Sequence, residues 1–229
     1  MADANITKHA LADAMKKLMA EMPFDKITIT HICERCDMNR KSFYYHFQDK
    51  YALVNWIFDT ELSALIQQES VKYSQITDSA SSPSTQYIHK ISLSSDDYRM
   101  GLDIFSQYFY QNRDFYRPAL QIKGQNSFSD HFREFLHPIF QFRIETLLKQ
   151  HGCPPVKNQY MTFYTETLSD TFINALERWL QKKDCMPPEE FVSMLFTLIN
   201  NVSYAICREF SADYGQESTE FCSACRQPY

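Results

Sequence analysis

TITHICERCDMNRKSFYYHFQDK, at residues 28–50, predicts two short helices joined by a tight turn and followed by a third helix. The first helix has a good N-cap in Thr28, whose hydroxyl can accept a hydrogen bond from a free amide of the first turn. Asp37 and Met38 are expected to form the turn. Asn39, a second good N-cap, then starts the next helix. This succession is typical of a helix-turn-helix motif.

The second helix of the motif carries polar side chains where such a helix meets DNA. Arg40, Lys41 and Ser42 lie in its first turn, which is where a recognition helix contacts base edges. An arginine there can donate two hydrogen bonds to guanine, which discriminates between bases by about 1 to 3 kcal/mol. Phe43 and Phe47, one turn apart, are expected to hold the helix against the core. We predict that the three polar residues read an operator in double-stranded DNA; the alternative is a merely solvated helix end.

The helix that follows the motif is expected to begin at Lys50, with Asp49 as its N-cap. A cation therefore lies near the free backbone amides of a first turn. This combination suits a phosphate group, because the lysine and the helix dipole both attract an anion. Replacing Lys50 is expected to weaken DNA binding whatever the base sequence.

Two longer patterns relate the motif to a known family. F-x-K-I-T-x-x-x-I at residues 24–32 and Y-Y-H-F-x-x-K at residues 44–50 resemble the DNA-binding domain of TetR-family regulators. The resemblance covers roughly residues 6–62. It implies an N-terminal DNA-binding domain, a helical regulatory domain after it, and a homodimer.

A narrower resemblance concerns regulators of dihydroxyacetone kinase operons. N-R-x-x-F-Y-Y-H-F-x-D-K-Y at residues 39–51 and G-Q-N-S-F at residues 124–128 are similar to that group. Most relatives have Gly in the turn where this chain has Asp37. A left-handed backbone there costs Asp more than Gly, although Asp tolerates it better than most residues.

The family resemblance also implies contacts between further side chains and the DNA backbone. Tyr44 stands where the family supplies a phosphate-contacting tyrosine, and Lys50 where it supplies a phosphate-contacting lysine. Thr30 is a candidate phosphate donor, and Tyr45 and His46 are expected to add contacts, although His46 is equally compatible with a packed spacer. The predicted DNA-binding set is Thr30, Asn39, Arg40, Lys41, Ser42, Tyr44, Tyr45, His46 and Lys50.

The charge of the chain favours a dimer. The net charge is −5, but residues 1–50 carry 8 Lys and Arg against 7 Asp and Glu, and the remaining chain carries 15 against 21. With only +1 on the predicted DNA-binding domain, one copy should bind DNA poorly. Two long apolar helices, near 156–180 and 189–210, are expected to pair with their copies as a four-helix interface. The alternative is that both stripes face only their own protomer's core.

The seven cysteines favour reduced thiols and a cytoplasmic protein over a disulfide framework. Two C-x-x-C pairs invite a zinc interpretation. Cys33 and Cys36 fall inside the first helix of the motif, where small hydrophobic side chains explain them. Cys222 and Cys225 lie in the tail, where metal binding, oxidation and a simple disordered tail stay open. We expect neither a metal nor a cofactor.

The remaining sequence predicts an all-α fold with two parts. Only four glycines occur, and no alternating runs of β-branched residues are seen. The expected DNA-binding domain is 1–50, followed by a connecting helix at 50–71 and a regulatory and dimerisation domain at 72–229. Polar, Ser-rich residues near 74–97 predict a mobile loop.

Aromatic residues crowd the region from 98 to 142 and allow two interpretations. Either some line a pocket for a small-molecule effector, with the connecting helix as the lever to the DNA-binding domain, or they form plain core. A regulatory domain that senses through a co-regulator protein is a further alternative. Residues 125–127, after Gly124, are either a capping turn or a polar pocket wall. The predicted effector pocket consists of Phe105, Tyr108, Phe109, Phe132 and Phe135.

No group of residues predicts catalysis. His131, Glu134 and His137 resemble a metal site in composition, but the spacing is not H-E-x-x-H. There is also no phosphate-binding loop and no nucleophile elbow. We therefore expect a regulator and not an enzyme.

Overall fold

A computed structural model of the chain describes residues 2–72, 95–124, 126–150, 152–153 and 155–212. Within these ranges the chain forms nine α-helices and one 3-10 turn and has no strand, which confirms the predicted all-α fold. None of these helices is both long and apolar enough to cross a lipid bilayer. The elements are α1 (Ala2–Glu21), the 3-10 turn (Phe24–Lys26), α2 (Ile29–Arg35), α3 (Arg40–His46), α4 (Lys50–Lys72), α5 (Ser95–Gln111), α6 (Arg113–Leu120), α7 (Phe128–Gln150), α8 (Asn158–Gln181) and α9 (Pro188–Ala212).

Helix α1 supplies the apolar surface against which the helix-turn-helix packs. It packs against α2, α3 and α4, and it buries Leu11, Met15 and Leu18 completely or nearly so. Phe43 and Phe47 are buried against the same core, as predicted, with ring centroids 5.8 Å apart. This apolar contact fixes the outward direction of the opposite face of α3.

An aromatic core joins α4 to the rest of the molecule. Phe58 of α4 is fully buried, and its ring centroid lies 5.4 Å from the centroids of Phe128, Phe132 and Phe135. Each such pair contributes about 0.5 to 1.5 kcal/mol beyond the burial of its area. The Phe58 ring therefore attaches α4 to α7 at the centre of the C-terminal group of helices.

The C-terminal helices pack in pairs, α5 on α9 and α7 on α8. Trp179 of α8 stacks on Phe191 of α9 with ring centroids 4.2 Å apart, and its indole N–H donates to the Met186 carbonyl. Helix α7 continues through Pro138 and ends in a Schellman motif. In that motif Gly152 has φ +65° and the Cys153 amide donates to the Leu148 carbonyl at 2.8 Å.

The beginning of α5 differs from the sequence expectation. Residues 95–97, expected in the mobile loop, form the first turn of α5. They precede Tyr98, which is buried, so the helix gains apolar contacts that the polar composition of the segment does not reveal. Residues 74–94 of the predicted loop lie outside the described residues.

A partly buried polar cluster beside the aromatic core joins four helices. Glu61 of α4 accepts a hydrogen bond from the Tyr108 hydroxyl of α5 at 2.6 Å and pairs with Lys16 of α1. The hydroxyls of Tyr108 and Tyr116, from α5 and α6, lie 2.5 Å apart. Burial raises the pKa of both phenols, so they stay neutral and can donate. We call these four residues the Glu61 cluster.

We predict that Tyr108→Phe lowers the free energy of unfolding by about 1 to 3 kcal/mol, because it removes a hydrogen bond to a partly buried carboxylate. Tyr108 and Tyr116 should also couple, since each orients the other's hydroxyl, by about 0.5 to 3 kcal/mol in a double-mutant cycle. Urea unfolding at one protein concentration measures both.

Tyr110→Phe is the matched control for this experiment. Its ring stacks on Trp179, and its hydroxyl makes no hydrogen bond to the described residues. Its removal should change stability by less than about 0.5 kcal/mol. Equal effects of Tyr108→Phe and Tyr110→Phe would show that the Glu61 cluster adds nothing to stability.

Candidate nucleic-acid interface

Both predicted N-caps of the helix-turn-helix are present. The Thr28 hydroxyl accepts from the His31 amide at 3.2 Å, and the His31 ring accepts in return from the Thr28 amide, which completes a capping box. The Asn39 side-chain oxygen accepts from the Ser42 amide at 2.9 Å. Short helices need such caps because most of their amides have no partner within the helix.

The turn between α2 and α3 is a Schellman motif with a left-handed residue. The Met38 amide donates to the Cys33 carbonyl at 2.9 Å, and the Asp37 amide to the Glu34 carbonyl at 3.4 Å. Asp37 has φ +53°, which confirms the conformation expected where relatives carry Gly. The motif keeps its turn although the residue lacks the freedom of glycine.

Helix α3 exposes four large polar or aromatic side chains on the face away from the core. Arg40 and Lys41 are exposed in its first turn. Tyr44 and Tyr45 are 50% and 81% exposed, which is high for aromatic residues in an ordered helix. The Arg40 guanidinium lies against Tyr44, 3.5 Å from its hydroxyl and 5.9 Å from its ring centroid. The face therefore combines cations with amphipathic rings.

Four other members of the predicted DNA-binding set have different surroundings. The half-buried Ser42 donates its hydroxyl proton to Asn39 at 3.2 Å, so these two side chains are already bonded to each other. The half-buried His46 ring packs on Tyr45, 4.8 Å between centroids, as the spacer interpretation expects. Thr30 is exposed in the first turn of α2. Contacts of these residues with DNA stay predictions.

Lys50 has an intramolecular role that the sequence did not reveal. Its ammonium donates to the carbonyls of Phe24 and Ile27, at 2.8 and 2.9 Å, and lies 4.2 Å from the centroid of the Phe24 ring. Burial lowers the pKa of Lys50, and the charge of Asp25 opposes that shift. The predicted N-cap of α4 is present beside it, since Asp49 accepts from the Ala52 amide at 2.8 Å.

A tryptophan supports this corner of the motif. Trp56 of α4 packs its ring against Phe47, with centroids 5.6 Å apart, and against His9 of α1 at 5.3 Å. The Lys8 ammonium lies 5.6 Å from the same ring. The end of α3 is thus held between α1 and α4.

The cysteines of the motif lie among apolar neighbours. Cys33 is buried, and the Cys36 thiol donates to the Ile32 carbonyl at 3.3 Å. Burial raises the pKa of both thiols. The described residues contain no cluster of three potential metal ligands. Cys222 and Cys225 lie outside the described residues.

The histidines considered as a metal site have separate partners. His131 pairs with Asp59 of α4 at 2.8 Å, and His137 pairs with the Thr165 hydroxyl at 2.8 Å. Glu134 is exposed. These side chains therefore do not converge on one point.

A narrow apolar cavity lies between α5, α7 and α8, and the space enclosed by its side chains is about that of a single water molecule. Of the predicted pocket residues, Phe105 and Phe135 line it. Tyr108 belongs to the Glu61 cluster, and Phe109 and Phe132 are fully buried in the aromatic core. The lining is Tyr98, Leu102, Phe105, Phe135, Leu136, Ile139, Phe140 and Phe172.

The polar segment before α7 is a capping turn. The Ser127 hydroxyl accepts from the Asp130 amide at 3.2 Å and donates to the Asp130 carboxylate at 2.8 Å. That hydrogen bond, with Arg133, lowers the pKa of Asp130. Of the two interpretations of this segment, Ser127 supports the cap; Gln125 lies outside the described residues.

Two family models match most of the described chain. The model "Bacterial regulatory proteins, tetR family" matches residues 11–57, which include α2 and α3. The model "Transcriptional regulator C-terminal region" matches residues 96–201, from α5 into α9. The chain belongs to the TetR family of transcriptional regulators. The members of this family are transcriptional regulators. The expectation that the chain is not an enzyme therefore agrees with its family.

One curated TetR-type relative carries a name that matches the narrower resemblance. The HTH-type dhaKLM operon transcriptional activator DhaS of Lactococcus lactis subsp. lactis (strain IL1403) is 32% identical over 68 residues. The match covers 30% of this chain and 36% of that protein. The chain thus matches about a third of the length of this relative.

Solved structures with the TetR-family fold match nearly the whole chain. The dihydroxyacetone kinase operon activator DhaS has 18% identity and a TM-score of 0.54, covering 90% of this chain and 98% of that one. A TetR transcriptional regulator from Streptococcus agalactiae 2603V has 20% identity and a TM-score of 0.58, covering 86% and 96%. At these identities the likeness establishes the fold.

We predict that Asp37→Gly keeps or raises the melting temperature, whereas Asp37→Ala lowers the free energy of unfolding by about 1 kcal/mol. The reason is that a β-carbon is strained in the left-handed region and Ala has no polar side chain to offset the strain. Thermal unfolding measures both variants.

Glu34→Ala supplies the control for this prediction. Glu34 is an exposed acidic residue inside α2, three positions before the turn. Its replacement removes the same charge from regular helical backbone. If Asp37→Ala and Glu34→Ala cost the same, strain at the turn is not what limits stability.

Proposed function

We propose that the chain is a homodimeric, operator-binding transcriptional regulator of the cytoplasm, where it meets chromosomal DNA, with α3 as the helix that enters the major groove. The observation that carries the proposal is the exposed face of α3. Its outward side holds Arg40 and Lys41, while its inward side is fixed by Phe43 and Phe47. A rigid helix with donors on one face is what base readout requires.

Tyr44 and Tyr45 fit the DNA backbone beside that groove. Both rings are exposed, and a phenol hydroxyl can donate to a phosphate oxygen while its ring covers sugar atoms. The contact between Arg40 and Tyr44 limits the directions that the guanidinium can adopt. Arg40 is therefore our first candidate for base recognition, and Tyr44 for backbone contact.

A dimer is supported by apolar side chains that the single chain leaves in water. Phe163 of α8 is 62% exposed, and Met194 and Leu198 of α9 are 56% and 46% exposed. The two helices are neighbours in the fold. Exposed apolar residues on adjacent helices are typical of a protein interface. Two half-sites about 34 to 36 Å apart, or somewhat more, would then be read together.

Regulation is proposed to act through α4. This helix begins beside the motif, at Lys50, and carries Phe58 into the aromatic core and Glu61 into the polar cluster with α1. A change in packing around Phe58 would therefore move α4 and, with it, the DNA-binding unit. Coupling of this kind requires only that a ligand or partner favours one position of α4.

The cavity between α5, α7 and α8 favours a small-molecule effector. Tyr98 lines it, and the Tyr98 hydroxyl is buried without a hydrogen-bond partner among the described residues. Burial raises the pKa of Tyr98, so the hydroxyl stays neutral and can donate to a ligand. The lining of the cavity matches a small, mostly apolar molecule with one hydrogen-bond acceptor, and binding would require the lining side chains to move apart.

The alternative is sensing through a co-regulator protein that binds the regulatory domain. Native mass spectrometry of the protein isolated from its own cells distinguishes the two. A bound small molecule supports the effector, and a stoichiometric co-purifying protein supports the co-regulator.

We predict that Arg40→Ala relaxes base preference at one operator position by about 1 to 3 kcal/mol. Tyr44→Phe should instead weaken binding mainly to all sequences alike, because it removes a donor to phosphate while the ring beside Arg40 stays in place. Selection of binding sites from random DNA, followed by titrations at several salt concentrations, measures both effects.

Arg99→Ala is the control for lost charge, since Arg99 is an exposed cation on α5 outside the motif. It should leave base preference unchanged. Wild-type base preference in Arg40→Ala would remove Arg40 from the recognition site.

We predict that Phe163→Glu or Leu198→Glu converts the dimer into monomers, because a carboxylate buried without a partner costs several kcal/mol. Sedimentation velocity at micromolar concentration measures the change. Ile6→Glu is the matched control, since Ile6 on α1 is 65% exposed and lies outside α8 and α9. Wild-type sedimentation of both interface variants would place the interface elsewhere.

A further inference from the structure

Lys50 is the residue whose surroundings differ most from its expected role. A phosphate contact requires an ammonium that points into solvent. Here two of its donors are occupied, by the carbonyls of Phe24 and Ile27 at 2.8 and 2.9 Å. The ammonium also lies over the Phe24 ring at 4.2 Å, and the Tyr51 ring meets that ring edge-on at 5.1 Å.

The two carbonyls belong to the connection between α1 and α2. Phe24 opens the 3-10 turn and Ile27 ends it, and both side chains are buried. The Phe24 carbonyl already accepts from the Ile27 amide at 3.0 Å. Lys50 adds a charged donor to a short turn whose geometry is otherwise held by few hydrogen bonds.

This position joins the beginnings of two helices. Ile27 directly precedes Thr28, the N-cap of α2, and Lys50 is the first residue of α4. The Asp49 cap fixes the backbone of that first turn of α4. A displacement of the first turn of α4 therefore acts on the start of α2 through the Lys50 hydrogen bonds, beside the apolar contact of Tyr51 with Phe24.

We propose that Lys50 is a positioning residue that clamps the entry of α2 to the first turn of α4, so that α4 and the helix-turn-helix move as one body. The consequence for regulation rests on the proposed function. The clamp itself is a property of the free protein and can be tested without DNA.

Hydrogen–deuterium exchange of the full-length free protein is the first test. We expect Lys50→Met to speed exchange of the amides of residues 24–32 by about tenfold, because the turn loses its charged donor. Lys26→Met is the matched control: Lys26 is an exposed lysine of the same turn, with the same charge. Wild-type exchange in Lys50→Met would overturn the clamp.

Operator spacing is the second test, and it separates positioning from local stability. One extra base pair between the half-sites increases their separation by about 3.4 Å and rotates one half-site relative to the other by about 35°. Wild-type protein should lose about tenfold in affinity for that operator, and Lys50→Met should lose clearly less, because its motif is no longer fixed to α4. Suppose that Lys50→Met exchanges faster but loses as much affinity for the longer operator as the wild type does. Lys50 would then stabilise only the turn, and the positioning role would be wrong.

A pure phosphate contact gives a different pattern. Lys50→Met would then keep wild-type exchange without DNA, lose affinity equally at every spacing, and lower the salt slope by about one. That pattern overturns the proposal. If the chain bound no DNA at all, the exchange result would still decide the clamp, while the proposed function would fail separately.

Lys50→Arg decides the question should Lys50→Met not fold. The guanidinium keeps the charge for a phosphate, but it is longer and planar, so it should not occupy the half-buried place of the compact ammonium without moving the turn. The clamp predicts faster exchange of residues 24–32 in Lys50→Arg. A phosphate contact predicts wild-type exchange.

Discussion

Burial of the Phe58 ring determines where α4 lies, and α4 determines where the DNA-binding unit lies. The ring has aromatic neighbours from α5, α6 and α7, so no small displacement leaves its contacts intact. At its other end the same helix carries Lys50 and Trp56, which hold the motif. One apolar side chain thus helps to set the position of α4 and, with it, of the exposed face of α3.

Local chemistry explains why the motif could be predicted from the sequence. Thr28 and Asn39 cap helices with atoms only three residues away, and Asp37 occupies a turn whose backbone conformation follows from its place between two helices. Phe43 and Phe47 follow from helical periodicity. Each of these interactions is encoded within one or two turns of the chain, so residue spacing is enough to infer it.

Contacts between distant residues explain what the sequence could not predict. Lys50 meets carbonyls 23 and 26 residues earlier, and Tyr108 meets Glu61 across 47 residues. The sequence therefore predicts a pocket position for Tyr108, because aromatic composition does not distinguish a cavity wall from a hydrogen-bonded phenol. Ser42 presents the same difficulty over a short sequence separation. Its spacing from Asn39 is compatible both with a hydrogen bond between the two side chains and with a free hydroxyl.

The two tryptophans lie in different parts of the protein, so the fluorescence of each one reports on its own part. The chain has only Trp56 and Trp179. The first packs on Phe47 beside the DNA-binding motif, and the second stacks on Phe191 between the last two helices. With one tryptophan replaced by phenylalanine, the emission of the other follows a single region during unfolding or ligand binding. The order in which the two regions loosen is then readable without any added dye.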